Sequence, residues 1–313
     1  MIPRRALRPI AALAIGASLW LGAPAPLHAA GLSLWRGGAW HVWWRAEDAP
    51  VRWASADSQL SRTLAWRRVA PGVEWASTRL ACSAPPWRTR LIVVRIDPGR
   101  VRFSLDLDLS RETGRPAWTI DRAPADALLA VNAGQFVEAM PWGWVVMDGH
   151  QRLSPAFGPL SSAVALDAGG ALRWIPGDSL GSPPTDVRTA FQSYPTLLEG
   201  DGVVPPALRA PGGGVALRHR DARLAIGVTR DGHVLIAMTR FAALGDLAET
   251  VPLGPTTPEM AAVMGALGAR AAVMLDGGVS AQMVLREPAS GRRWRWPGWR
   301  KVPLALIVWP REP

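Results

Sequence analysis

Residues 271–280 read Ala-Ala-Val-Met-Leu-Asp-Gly-Gly-Val-Ser. The five apolar residues predict a buried strand, because short apolar runs bounded by glycine are typical of strands in a sheet core. The strand ends at Asp276, and the glycines after it let the main chain approach a ligand closely. This stretch therefore predicts a sheet with a polar pocket at one strand end.

Two other strands show the same design. Asn132-Ala133-Gly134 follows the apolar residues 128–131, and Arg223 precedes the apolar residues 224–226, which end at Gly227. Each motif taken alone fits an ordinary strand-end turn. The three together indicate one site.

The order of the predicted elements sets the fold class. Many strands and few helices, without regular strand–helix alternation, predict an α+β fold with a large mixed, mostly antiparallel sheet and a few packed helices. Residues 91–96 and 101–109 predict a hairpin across the turn Asp97-Pro98-Gly99. The clearest helix begins at Thr256, which supplies an N-cap, and ends at Gly268.

The N-terminus has the pattern of an export signal. Three arginines within the first eight residues precede an apolar run at 10–22, and two alanines follow at 29 and 30. The run is too short to span a bilayer comfortably, which favours cleavage by the general secretion route over a retained anchor. A periplasmic or secreted protein is expected. Its predicted divisions are a signal peptide (1–30), a Trp- and Arg-rich lead-in (31–72) and one principal domain (73–313).

The formal net charge is +10, and the chain has a single cysteine, Cys82. An intramolecular disulfide is therefore impossible. In an exported chain with dispersed arginines, the charge does not predict nucleic-acid binding. It reflects either the composition of the source genome or attraction to anionic glycans, phosphates or a membrane surface.

Several common hydrolytic chemistries lack their residues. Ser280 is not the serine of a Gly-x-Ser-x-Gly motif, so it is poorly placed as an esterase-type nucleophile, and no pair of histidines has zinc-ligand spacing. The five histidines are His28, His41, His150, His219 and His233. We predict no cofactor, and the residues leave open a divalent cation near Asp276.

Four blocks resemble the phosphodiester glycosidase family. The first, Asn-Ala-Gly-Gln-Phe at 132–136 followed by Pro141, Gly143 and Gly149, is similar to the family's Asn-Ala-Gly-Phe-Phe block. The others are residues 192–197, 223–227 and 275–280, which resemble its Gln-Ser-x-Pro, Arg-Thr-Ala-x-Gly and Leu-Asp-Gly-Gly-Gly-Ser motifs. The blocks keep the family's order over most of the predicted domain. Gln135, Leu224 and Val279 depart from it: leucine at 224 removes a possible ligand hydrogen bond, and valine at 279 narrows the freedom of the turn.

The resemblance implies a hydrolase that cleaves a sugar-1-phosphodiester, such as an N-acetylglucosamine-1-phosphodiester, to a free sugar and a phosphomonoester. Phosphate is a good leaving group, so charge stabilisation matters more than general-acid help. Asp276 is then the carboxylate that activates water or meets the charge at C1. Arg223 is the candidate phosphate clamp.

The remaining site residues follow from the same resemblance. His219 is a candidate for proton transfer, although a histidine between two arginines is more often a surface residue, and Glu199 is the candidate second acid. The predicted substrate-binding residues are Asn132, Gly134, Arg218, Gly277, Gly278 and Ser280, with Arg218 also the reserve phosphate ligand. The expected partner is a phosphorylated or anionic carbohydrate, without nucleic acid and without a stable membrane anchor.

A non-catalytic alternative stays open. The protein could be a periplasmic module that binds anionic polysaccharide in envelope or exopolysaccharide assembly. Residues 292–296, Arg-Arg-Trp-Arg-Trp, and Trp299-Arg300-Lys301 could stack on sugars while pairing with acidic groups. The same segment also fits a basic hairpin loop before the last strand.

Overall fold

The computed structural model describes residues 31–82, 87–167, 172–242 and 249–311. The predicted signal peptide lies outside these residues. Within them, no helix has the length and apolar character needed to cross a bilayer.

The described chain forms strands throughout its length and two α-helices. The elements in order are β1 (Gly31–Arg36), β2 (Ala39–Arg45), α1 (Ser58–Ser61), β3 (Arg67–Ala70), β4 (Val73–Cys82), β5 (Trp87–Ile96), β6 (Val101–Leu107), β7 (Leu129–Asn132), β8 (Phe136–Val137), β9 (Met140–Pro141), β10 (Val145–Met147), β11 (His150–Leu153), β12 (Ser162–Asp167), β13 (Leu172–Pro176), β14 (Val187–Ser193), β15 (Thr196–Leu198), β16 (Leu224–Thr229), β17 (Val234–Phe241), α2 (Thr257–Ala266), β18 (Ala269–Met274), β19 (Met283–Glu287), β20 (Arg292–Trp296) and β21 (Leu304–Pro310).

The strands pair into three sheets and one small ribbon. A nine-stranded sheet has the order β15-β18-β16-β17-β5-β4-β1-β2, with β3 beside β4. The second sheet is β20-β19-β7-β21-β6, the third is β11-β10-β14-β12-β13, and β8 pairs with β9. The predicted antiparallel character is confirmed. The expectation of a few packed helices is wrong, because α1 is a single turn and only α2 packs as a full helix among the described residues.

The main core lies where the nine-stranded sheet meets the second sheet. Ile226 and Val273 from the first sheet pack with Val131 and Leu306 from the second. Alternate residues of the nine-stranded sheet point to its other face, because strand side chains alternate with period two. There they cover α2, which is buried almost all round and begins at a Thr256–Glu259 capping box. The site therefore sits on a sheet that is covered on both faces.

The predicted hairpin at 91–109 is wrong. Its turn does form, since the Asp97 side chain accepts a hydrogen bond from the Gly99 amide at 2.9 Å. The flanking strands then diverge: β5 pairs with β4 and β17, whereas β6 pairs with β21 in the second sheet. A local turn signal does not determine which strands pair. Here the pairing is set by the burial of β5 and β6 in two different sheets.

The residues of the predicted lead-in contribute β1, β2 and β3 to the nine-stranded sheet. Trp53, which follows β2, lies so close to Gly265 of α2 that a β-carbon at 265 would collide with the ring. The segment around Trp53 is therefore packed on α2, the helix that the nine-stranded sheet also covers.

Candidate active site

The structure brings the three predicted strand ends together. The Leu275 amide donates to the Leu224 carbonyl at 2.8 Å, so the end of β18 lies beside the start of β16. The Asp276 amide donates to the Gly134 carbonyl at 2.9 Å. The motifs at Asn132, Arg223 and Asp276 therefore meet at one end of the nine-stranded sheet, where the second sheet adjoins it.

Asn132 joins the two sheets through its side chain. Its Nδ2 donates to the Asp276 carbonyl at 2.8 Å, and its Oδ1 accepts from the Gln282 amide at 2.9 Å. The residue is 1% exposed. This geometry favours a positioning role, in which Asn132 fixes the Asp276 main chain, over direct contact with a sugar.

Asp276 carries a carboxyl group that the fold does not fully satisfy. Its Oδ2 is buried and has no hydrogen-bond partner among the described residues. Burial raises the pKa of this carboxyl above its ordinary value; the Ser280 hydroxyl and the Arg300 charge act in the opposite direction, and the Asp221 carboxylate adds to the increase. An uncompensated buried carboxyl with a shifted pKa is a typical sign of a functional group.

Asp221 is a second carboxyl that the sequence did not predict for the site. Its Oδ2 lies 3.6 Å from His219 Nε2, and its Oδ1 is buried without a hydrogen-bond partner in the described part of the chain. Burial raises its pKa, and the charges of Arg223 and His219 lower it. No strand-end pattern marked this residue, which lies in the short connection leading to β16.

The two glycines after Asp276 let Asp221 and Ala222 approach the turn closely. A β-carbon on Gly277 would lie 2.5 Å from the Ala222 carbonyl oxygen, and one on Gly278 would lie 2.8 Å from Asp221 Oδ2. Gly278 also has φ +56°, which favours glycine. The turn is therefore built for close approach of the Asp221 segment.

The valine at 279 fits this turn. It is not among the residues with positive φ, so its side chain causes no backbone strain. Its carbonyl accepts the amides of Trp299 at 2.8 Å and Arg300 at 3.1 Å. The backbone conformation at this position therefore does not require the conformational freedom of glycine. Through the Val279 carbonyl, the turn also anchors the loop before β21.

Arg223 is held by main-chain carbonyls. Its Nε donates to the Pro255 carbonyl at 2.9 Å, and its Nη2 donates to the His219 carbonyl. Burial lowers the pKa of its guanidinium, and the Asp221 carboxylate opposes that change. The expected phosphate clamp thus has two of its three nitrogens engaged in joining the His219 loop to the segment before α2.

Arg220 fixes the same loop to the helix. Its guanidinium forms a two-point pair with the buried Glu259, with distances of 2.8 and 3.1 Å. Glu259 also closes the capping box of α2. Bidentate arginine–carboxylate pairs define orientation as well as adding energy, so Asp221 is positioned by its neighbours on both sides.

A cleft of about 410 Å³ opens next to these groups. Trp142 and Tyr194 form one wall, with ring centroids 4.6 Å apart in an edge-to-face arrangement. His219 and Arg223 also line the cleft. His219 Nε2 lies 3.6 Å from Asp221 Oδ2, which connects the lining of the cleft with this carboxyl. The aromatic wall of the cleft is suited to a sugar ring.

Arg300 supplies positive charge close to Asp276. Its guanidinium carbon lies 4.5 Å from the centroid of the Phe136 ring, and its charge lowers the Asp276 pKa. Unlike Arg223 it is exposed, as is Arg218. The sequence singled out Arg300 only for the alternative polysaccharide surface and gave no signal that it approaches Asp276. Within the described ranges, no three His, Cys, Asp or Glu side chains converge to hold a metal ion.

Two predicted residues have other positions. Glu199 follows β15, which runs alongside β18. Just before β15, the Pro195 carbonyl accepts the Met274 amide, and at its end Leu198 pairs with Ala272. The structure therefore places Glu199 beside the first half of β18, several residues away from Asp276. Leu224 is fully buried in the main core, so the departure from threonine at this position alters packing and not the cleft.

Two of the three tryptophans proposed for the alternative surface are used in packing, whereas the third, Trp299, is 64% exposed. Trp75 contacts the rings of Trp294 and Trp296 at centroid distances of 5.2 and 5.7 Å. The Arg292 guanidinium lies over the Trp294 ring at 5.3 Å. The segment forms β20, an edge strand paired with β19. The Trp294 and Trp296 rings are therefore poorly available for stacking on sugars.

Paired carboxyls beside an aromatic cleft are the groups that a glycosidase-type hydrolase requires. The family model described as phosphodiester glycosidase matches residues 125–309, and the chain belongs to that family. The fold is similar to the zebrafish N-acetylglucosamine-1-phosphodiester alpha-N-acetylglucosaminidase catalytic domain, auto-inhibited by its pro-peptide, with TM-score 0.58 and 15% identity over 82% of this chain and 87% of that one.

A hypothetical protein from Synechocystis matches with TM-score 0.48 and 16% identity, over 90% of this chain and 68% of that one. No curated protein matches the sequence significantly.

Proposed function

We propose that this protein hydrolyses a sugar-1-phosphodiester to a free sugar and a phosphomonoester. The observation that carries the proposal is the unpartnered buried oxygen of the Asp276 carboxyl, together with the Asp221 carboxyl, which lies 3.6 Å from the cleft residue His219. Family membership supports the substrate class, and the zebrafish enzyme named above suggests N-acetylglucosamine as the first sugar to test.

Asp276 acts on the attacking water. In its ionised form it accepts a proton from water while the water oxygen bonds to C1 of the sugar. The bond between C1 and the phosphate oxygen breaks, and its electron pair stays on the phosphomonoester. Burial keeps the pKa of Asp276 raised, and the Asp221 carboxylate adds to the increase because two nearby carboxylates resist simultaneous ionisation. A base with a pKa nearer to neutrality takes the proton more effectively.

Arg300 stabilises the leaving phosphate. It is exposed, carries a full charge and lies near Asp276. The Arg223 side chain contributes mainly by holding the His219 loop, and Arg218 offers further positive charge from that loop. The Trp142–Tyr194 wall orients the sugar ring, so that C1 faces Asp276.

Export remains part of the proposal. The arginines, apolar run and paired alanines at the N-terminus support a signal peptide and a periplasmic or secreted location. Such a location suits a substrate on an extracellular or envelope glycan. Mass spectrometry of the protein recovered from the growth medium or periplasm would test it, and a mature N-terminus near residue 30 is expected.

The decisive experiment measures sugar release from a panel of methyl sugar-1-phosphodiesters, including N-acetylglucosamine and glucose. Wild type should release sugar, and Asp276→Asn should lower kcat by about 10²–10⁴-fold, the usual contribution of a general base. Glu199→Gln is the matched control, since it neutralises an exposed acid beside the first half of β18 and should leave kcat unchanged. An inert wild type on the whole panel would refute the proposal.

A further inference from the structure

A second cleft lies farther along the nine-stranded sheet, away from the strand that carries the candidate active site. It measures about 580 Å³ and lies between the β1–β2 hairpin and the paired strands β4 and β5. Its principal side chains, named here the arginine cleft, are Trp35, Trp40, Arg79, Arg88 and Arg90. In the order of the sheet, β17 and β5 separate β16, which carries the candidate active site, from β4.

The aromatic part of this cleft is a cross-strand pair. Trp35 faces Trp40 across the hairpin, with ring centroids 5.2 Å apart and an interplanar angle of 65°. Both rings are partly exposed. They differ in this respect from Trp296, which is buried in the main core. Partly exposed tryptophan faces are suited to packing against the apolar face of a sugar ring.

The basic part is an arrangement that disfavours the folded state. Arg79 lies directly opposite Arg90 in the β4–β5 pairing, and Arg88 is on the same face two residues away. Like charges directly opposite each other destabilise a sheet. Glu249 neutralises part of this charge, with its Oε1 3.5 Å from Arg90 Nη1. Arg79 and Arg88 have no ion-pair partner among the described residues, so an external anion would relieve the repulsion.

We propose that the arginine cleft binds an acidic oligosaccharide. A sugar ring packs on the Trp35–Trp40 pair, and a carboxylate or phosphate on the same chain pairs with Arg79 and Arg88 through charge-assisted hydrogen bonds. Membership of a glycosidase family favours a carbohydrate over a nucleic acid as the occupant. The inference does not depend on the proposed hydrolysis, since it concerns binding at a separate set of residues.

The test compares two charge-matched double variants of the full chain by calorimetry with a hexamer of galacturonic acid, at about 0.15 M salt to limit long-range attraction. Arg79→Gln with Arg88→Gln should weaken binding about tenfold or more, since it removes both charge-assisted hydrogen-bond donors to the acidic group. Arg62→Gln with Arg68→Gln removes two exposed arginines outside the cleft and should change binding less than about twofold.

Three results would overturn the proposal: equal loss in both double variants, equal binding of a neutral maltohexaose, or tighter binding of a single-stranded oligonucleotide of matched charge. Release of sugar from a small phosphodiester should be the same in the Arg79→Gln, Arg88→Gln variant as in wild type. A parallel loss of release would mean that the cleft belongs to the first site. An inert wild type would refute the proposed hydrolysis and leave the binding comparison valid.

Discussion

The Asp221 carboxylate occupies the space that a side chain on Gly278 would need, with Oδ2 2.8 Å from the position of a β-carbon there. Gly278→Ala should therefore displace Asp221 and also strain a backbone with φ +56°. We expect a loss of stability of about 1 kcal/mol or more together with a large fall in kcat. Urea unfolding and initial-rate kinetics measure the two effects.

Gly232→Ala is the control for this substitution. Gly232 has φ +86°, and a β-carbon there would meet no atom within 4 Å. It should show the backbone cost alone, with kcat as in wild type. Equal kcat losses in both variants would mean that the Asp221–Gly278 contact is irrelevant to activity.

Asp276→Asn should stabilise the protein at neutral and alkaline pH. Burial raises the folded-state pKa of Asp276 above its ordinary value of 3.8. Between those two pKa values the folded state binds more protons than the unfolded state, so wild-type stability falls as pH rises through this window. The variant lacks this dependence. Its melting temperature should exceed that of wild type at pH 8, and the difference should shrink toward pH 4.

Arg300→Gln should change catalysis more than stability. The Arg300 charge lowers the pKa of Asp276, so its removal should shift the acidic limb of the pH–rate profile to higher pH. Loss of charge next to the leaving phosphate should lower kcat/KM by about 10²-fold, the scale seen when one stabilising donor is removed. An unchanged profile in the variant would exclude Arg300 from the site.

Arg223→Met, in contrast, should lower stability more than catalysis. It leaves the Pro255 and His219 carbonyls without their donor, and each unsatisfied buried group costs about 1–3 kcal/mol. Denaturant unfolding should therefore detect a loss of a few kcal/mol. A fully stable variant with a greatly raised KM would instead identify Arg223 as a direct phosphate ligand.

Leu224→Thr restores the family residue at a departure from the motif. Because Leu224 is buried in the main core, the hydroxyl should meet no ligand and should cost about 2–4 kcal/mol through the lost apolar contact and its own desolvation. Activity below the melting transition should not rise. A gain in kcat or in substrate affinity would show that this position reaches the cleft.

The strand-end motifs predicted the central part of the site because each couples a buried apolar run to a polar residue and glycine, a local pattern. Their convergence depends on pairing between strands that are distant in the sequence. The position of Glu199 depends on the same pairing, although its local context made it a plausible second catalytic acid. Asp221 carried no such pattern: its importance arises from Gly278, 57 positions later in the printed sequence. The failed hairpin at 91–109 has the same cause, since turn chemistry is local and the choice of sheet is not.

The last strand, β21, is an interior strand of the second sheet, with β7 on one side and β6 on the other. It pairs Ala305 with Asn132, and the Ala133 amide donates to the Leu304 carbonyl at 3.0 Å. The residue that holds Asp276 in place is thus set by a segment near the end of the described chain. During synthesis on the ribosome, the growing polypeptide cannot assemble this pocket until residues 304–310 have emerged. The proposed hydrolase therefore stays latent until this strand has been synthesised.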